Sequence, residues 1–282
     1  MSIFNNPTLQ LLNSSSLVGF SGGLRLYLAY LIAGIAPDIL LVLAASLIIY
    51  ATYTLDRSLD NKEDEVNRRE LAGACKSAGI AASVAAIIIG TALFFSKNLF
   101  GPPLFPFIVG ILYSQGLSLG HTQIKLKGGC GIKNIVIGIT WGGTIGLIIA
   151  STGQVAAAAV IGVYFGMKLF INSTIFDLKD VEGDLAAGIR TLPVVMGVKK
   201  LTYLLLSLCI VQHALLIAAM MGGILVPFIV LFLYSLSMSG LAILCYSPAF
   251  ESGPAWWQRN FRVLVINWEP IVLVVVSMFH PY

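Results

Sequence analysis

The sequence predicts an all-α polytopic membrane protein with about nine transmembrane helices in one domain spanning 1–282. Two observations carry this. The first is composition: 57% of the 282 residues are apolar, only 11% are charged, and the mean hydropathy is +0.90. A soluble domain carries nearer a quarter charged residues, so the excess of apolar sequence has to be buried in lipid. The second is the segmentation of the apolar sequence into runs of about 20 residues, the length that crosses a hydrocarbon core. These runs fall at 18–36, 38–55, 77–96, 103–120, 134–151, 154–176, 201–222, 224–246 and 263–280.

The first sixteen residues are polar, with neither a basic n-region nor a small-residue cleavage pattern, so a removed signal peptide is not expected. Spans one and two are separated by Gly34-Ile-Ala-Pro37, three and four by Gly101-Pro-Pro103, and seven and eight by a stretch from Gly222 to Pro227. Each is a breaker-rich turn. The connections after spans two, four, six and eight are longer and hydrophilic. They hold fourteen of the seventeen Lys and Arg residues, whereas Lys97 alone sits in an opposite turn and Arg25 and Lys168 lie inside spans. The positive-inside rule then puts the charged loops and the N-terminus in the cytoplasm. The cysteines Cys75, Cys130, Cys209 and Cys245 and the histidines His121, His213 and His280 are dispersed, which suggests neither a zinc site nor a disulfide framework. No nucleic-acid partner is expected.

The chemistry lies in two acidic triplets about 120 residues apart, each just after an apolar run: Asp56, Asp60 and Asp64, then Asp177, Asp180 and Asp184. Both fall on the predicted cytoplasmic face, four spans apart, so an internal duplication is plausible although similarity outside the acids is weak. On a helix at about 100° per residue the first triplet drifts by about 80° and the second by about 60°. Each can therefore aim its carboxylates at one point. Three like charges that close repel unless a cation is bound. Mg²⁺ favours one or two carboxylates together with waters and phosphate oxygens. The pattern points to Mg²⁺-held diphosphate at a membrane surface; the plainer reading is a solvated acidic helix end paired with Lys and Arg.

The second cluster, with Gly188, Thr191, Leu192 and Pro193 after it, resembles position by position the second motif of the UbiA superfamily of intramembrane prenyltransferases. The first motif is looser. Asp60, Asp64, Asn67 and Arg68 match, but Asp56 stands for the usual Asn and Arg57 for the usual Asp. The resemblance covers nearly the whole chain. It implies a helix bundle around a central cavity open to lipid and an allylic polyprenyl diphosphate held over two Mg²⁺ ions by the six aspartates. It also implies a lipophilic acceptor of a class the sequence does not reveal. Transfer would proceed by ionisation, with Asp60, Asp180, Lys125 and Arg68 as catalytic groups. Arg68, Lys125 and Lys127 are expected on the diphosphate, with Arg57 and Arg190 as weaker candidates. Lys168 and Asn172, four apart in the sixth span, read as a polar stripe leading to the second cluster and are also placed on the diphosphate. Arg25, mid-span, is expected to face the bundle interior. Tyr53, Tyr113, Trp141, Tyr164 and Phe165 are candidates for the prenyl and cation pocket through cation–π attraction, against an ordinary packing role for each.

Two alternatives remain open. A terpene cyclase or carotenoid-elongating enzyme on the same fold would need no aromatic acceptor, and the unusual Asp56-Arg57 start leaves room for it. A cation-coupled transporter would carry its acids near the bilayer midplane in broken helices rather than at span ends. The signature of a CDP-alcohol phosphotransferase is absent, since Asp56-Arg57 is not followed by its Gly and Ala-Arg pattern.

Overall fold

The computed structural model describes residues 6–59, 71, 73–115, 117–119, 122–124, 130–178, 181, 185, 190–245 and 255–279. Among the described residues, nine long helices correspond in order to the nine apolar runs: α2 (Ser16–Ile32), α3 (Ile39–Ser58), α4 (Lys76–Ser96), α5 (Gly101–Gln115), α6 (Ile132–Ala150), α7 (Val155–Asp177), α9 (Val198–Met221), α10 (Ile229–Leu244) and α11 (Ala255–Phe279). Two short helices join them, α1 (Pro7–Ser14) in the polar N-terminal segment and α8 (Leu192–Met196) before α9. By length and apolar composition six segments suffice to cross a membrane; α10 and the 266–279 part of α11 are apolar but shorter.

The differences from the predicted spans have local causes. The fourth span ends at Gln115, five residues early, and a hairpin of β1 (Leu117–Leu119) and β2 (Thr122–Ile124) follows, pairing Leu117 with Ile124. The eighth starts at Ile229 because residues 222–228 form an irregular link, where the Val226 N–H donates to the Ile32 carbonyl at 3.0 Å. The first ends at Ile32 because Gly34, at φ +71°, closes it. Ile35 N–H reaches the Tyr30 carbonyl (2.9 Å) and Gly34 N–H the Leu31 carbonyl (3.0 Å), a Schellman stop. Asp38 then caps α3, accepting from the N–H groups of Leu40 and Leu41.

The nine long helices form a closed ring. Each packs on its neighbours in the chain, α7 passing to α9, and α11 returns to α2. The tightest seam is α6 on α7. A Cβ at Gly142 would stand 2.5 Å from the Gly162 carbonyl oxygen and 2.6 Å from the Gly166 backbone. Small residues at this spacing let two helices touch backbone to backbone where lipid supplies no hydrophobic drive. Inside the ring lies a narrow cavity of about 40 Å³.

Candidate active site

The C-terminal ends of α3 and α7, which carry the first residue of each acidic triplet, lie on the same face as the N-terminus of α6. Asp177 is buried at the end of α7, and α6 holds it. Lys133 Nζ donates to Oδ1 at 3.3 Å, and Asn134 Nδ2 donates to Oδ2 at 2.8 Å. Asn134 is itself buried and also donates to Thr174 Oγ1 at 2.7 Å, one turn before Asp177. Gly131 at φ +70° sets the start of α6. Asp56, on the last turn of α3, is exposed. Its neighbour Arg57 donates to Ser15 Oγ at 2.8 Å, tying the end of α3 to the break between α1 and α2. Asp60, Asp64, Asp180, Asp184, Arg68, Lys125 and Lys127 lie outside the described residues, as does the side chain of Tyr113. Arg190 is exposed.

Of the expected metal ligands, Asp56 and Asp177 lie among the described residues. Asp177 offers a carboxylate oriented by two donors, the support that metal-ligating carboxylates commonly have. Among the described residues no three His, Cys, Asp or Glu side chains converge, but four of the six expected acids fall outside them.

Beneath this face the central cavity begins. Tyr53, one turn before Asp56, and Trp141, two turns into α6 from Asn134, stack with centroids 6.3 Å apart at 21°. Both line the cavity, whose deeper wall is Leu26, Ile48, Phe94, Ile145 and Ile148. The lining is almost wholly apolar, and neither Asp56 nor Asp177 is part of it; Tyr53 and Trp141 are the lining residues that lead towards them.

Tyr164 and Phe165 sit elsewhere. They meet edge to face at 5.0 Å, both buried, and line a smaller void next to the central one. The expectation for Lys168 also changes. Its ammonium is enclosed by Glu269 Oε1 (2.6 Å), Ser235 Oγ (2.8 Å) and Ser239 Oγ (2.9 Å), joining α7 to α10 and α11. Nine residues separate it from Asp177, about 13 Å along the axis. Burial in lipid demands a counter-ion, and Glu269 supplies it. Asn172 lies between, buried, with its Nδ2 unpartnered among the described residues.

Two features escaped the sequence reading. Glu269 is a lone acid in the last apolar run, and such an acid should have been matched to Lys168. The support of Asp177 by Asn134 carries no sequence signal, because it depends on which faces of α6 and α7 meet.

The profile of the UbiA prenyltransferase family matches residues 16–266. A curated relative, the Digeranylgeranylglyceryl phosphate synthase of Halobacterium salinarum, is 31% identical over 141 residues, 49% of each chain. The protein of the same name from Methanothermobacter thermautotrophicus is 28% identical over 167 residues, 56% of this chain and 57% of its own. The chain thus spans about half the length of the curated relatives it matches. A solved structure from work on the biosynthesis of Digeranylgeranylglyceryl phosphate synthase in membranes shares the fold, with a TM-score of 0.57 and 17% identity over 96% of this chain and 95% of that one.

Proposed function

Because this chain belongs to the UbiA prenyltransferase family, we propose that it is a Mg²⁺-dependent membrane enzyme moving a polyprenyl group from an allylic diphosphate to a lipophilic acceptor. The acceptor we favour is a glyceryl phosphate lipid, the class named in the curated relatives. The observation that carries the reading is the buried Asp177 carboxylate, oriented by Lys133 and Asn134 two turns along α6 from Trp141 in the lining of an apolar cavity. The rim faces the cytoplasm on the charge distribution of the loops.

In this reading the six aspartates Asp56, Asp60, Asp64, Asp177, Asp180 and Asp184 hold Mg²⁺. Bound there, Mg²⁺ supplies electrostatic stabilisation of the charge that develops on the leaving diphosphate. Lys133 and Asn134 fix the Asp177 carboxylate, and Arg68, Lys125 and Lys127 add positive charge at the same oxygens. Tyr53 and Trp141 present their π-faces one to two turns below, where an allylic cation gains attraction without being quenched. The C–O bond breaks, diphosphate leaves towards the rim, and an acceptor oxygen attacks C1 and gives up its proton. The apolar walls keep water from attacking first.

The test is pyrophosphate release by purified protein with Mg²⁺ and geranylgeranyl diphosphate, with and without a geranylgeranylglyceryl phosphate acceptor. Acceptor-dependent release with the summed product mass is expected. The variants Asp60→Ala, Asp177→Ala and Asp180→Ala should each lose at least about 100-fold in turnover, the scale of removing a main electrostatic stabiliser, while still melting as folded proteins. Full activity in these variants at ordinary Mg²⁺ would sink the site assignment. Release without any acceptor, giving a cyclic hydrocarbon, would make the protein a cyclase.

A further inference from the structure

The central chamber contains one feature a pure hydrocarbon pocket should not have. Arg25, on α2, is 5% exposed and lines both the chamber and the small void beside Tyr164, Lys168 and Glu269. Its partner is a carbonyl left over inside α11, which carries Pro270 within the helix. Pro270 has no N–H, so the carbonyl four residues earlier, that of Ile266, loses its helical partner. Arg25 Nη2 donates to that carbonyl at 3.1 Å. Its Nε is not matched in this way, being buried with no partner among the described residues. Among the described residues Glu269 is the only acid lining the small void, and it is engaged by Lys168 at 2.6 Å.

We propose that Arg25 is the acceptor-binding residue of the chamber, its Nε–H donating to an oxygen of the acceptor lipid. This rests on the prenyl-transfer reading above. A guanidinium presents five donors in a fixed plane, so one edge can hold the Ile266 carbonyl while another faces an occupant. A hydrocarbon occupant would leave a buried donor without a hydrogen bond, which is unfavourable. It would also set a cation against any carbocation migrating down the chamber. An occupant with ether, hydroxyl or phosphate oxygens satisfies the donor. The chamber therefore favours an oxygenated acceptor over chain cyclisation.

A simple Arg25 variant also uncaps Ile266, so the experiment pairs R25M with R25M/P270A, in which residue 270 regains an N–H for the Ile266 carbonyl. Binding is measured directly, as ligand-induced thermal stabilisation of the full chain in detergent. The probes are geranylgeranylglyceryl phosphate, geranylgeranylglycerol and a C20 hydrocarbon of the same chain. The wild type should be stabilised by the oxygenated probes well above the hydrocarbon. R25M/P270A should recover the melting temperature lost in R25M yet bind the oxygenated probes at least tenfold more weakly. Dependence on Arg25 for both oxygenated probes puts the contact on a glyceryl oxygen, and for the phosphate alone on the phosphate. If R25M/P270A binds like the wild type, Arg25 is only a cap and the proposal fails. It fails equally if the wild type does not discriminate against the hydrocarbon. Intact, Arg25-dependent binding without prenyl transfer would instead overturn the functional reading while leaving the site.

Discussion

Lys168 and Glu269 form an ion pair with both side chains about 5% exposed, and removing one partner leaves a bare charge inside the bundle. Breaking such a pair costs about 3–5 kcal/mol, whereas replacing both partners with apolar residues is often neutral. K168M should therefore lower the melting temperature sharply, and K168M/E269L should restore most of it. A double variant as unstable as the single one would show that the serines, not the pair, dominate there. Asp38 offers a milder case outside the membrane. Burial pushes its carboxyl up, but the Lys97 hydrogen bond and charge and the N–H groups of Leu41 and Leu40 outweigh this and hold it below the 3.8 of a free aspartate. A lowered folded value gives stability that is present above about pH 4 and lost as the pH falls through it. Because the pair is roughly a third exposed, the effect is small. D38A should cost about 1 kcal/mol, mostly through the lost α3 cap, and should flatten the acid limb of a melting-temperature profile. At this scale the sequence was only partly readable. Asp177 stood out through its spacing, whereas Lys168 read as part of a polar stripe leading to the diphosphate. Glu269, the lone acid of the last apolar run, was open to pairing with it, although it lies 101 residues away and only the ring's closure brings the two together.

The α6–α7 seam shows how an element-scale contact serves the site. Asn134 and Asp177 meet only if these helices stay in register along their length, and the Gly142 contact with Gly162 and Gly166 leaves no room to shift. A Gly142→Leu variant would force the backbones apart. Overpacking of this kind costs about 1–3 kcal/mol, and the same displacement should draw Asn134 away from the Asp177 carboxylate. The expected result is an apparent Mg²⁺ requirement raised several-fold in a protein that still folds; an unchanged requirement in a destabilised protein would show that seam and site are independent. Glycines at four-residue spacing in α6 and α7 were visible in the sequence. That they face each other was not, since spacing specifies a face but not its partner.

At the scale of the molecule, an odd number of crossings in order puts the two ends of the chain on opposite sides and gathers the ends of α3 and α7, where the acidic triplets begin, on one face. The native cysteines report that face without new mutations. Cys75 precedes α4, its N–H donating to Thr8 Oγ1 at 2.9 Å, and Cys130 precedes α6; both are exposed, while Cys209 is buried in α9. If the nine helices cross in order, Cys75 and Cys130 share a side with Asp56 and Asp177, and Thr152, in the α6–α7 turn, lies opposite. The loop charges assign the cysteine side to the cytoplasm. A membrane-impermeant maleimide should then label Cys75 and Cys130 in inverted vesicles but not in intact cells. In a variant lacking Cys75 and Cys130, a Thr152→Cys label should show the reverse. Labelling of Cys75 and Cys130 from opposite sides would mean that α4 and α5 do not both cross, and the ring would have to be redrawn. Labelling of both from outside would keep the ring but move the acidic rim to the external face. That would place the rim away from cytosolic prenyl diphosphate and so remove the premise on which a cytoplasmic donor site rests.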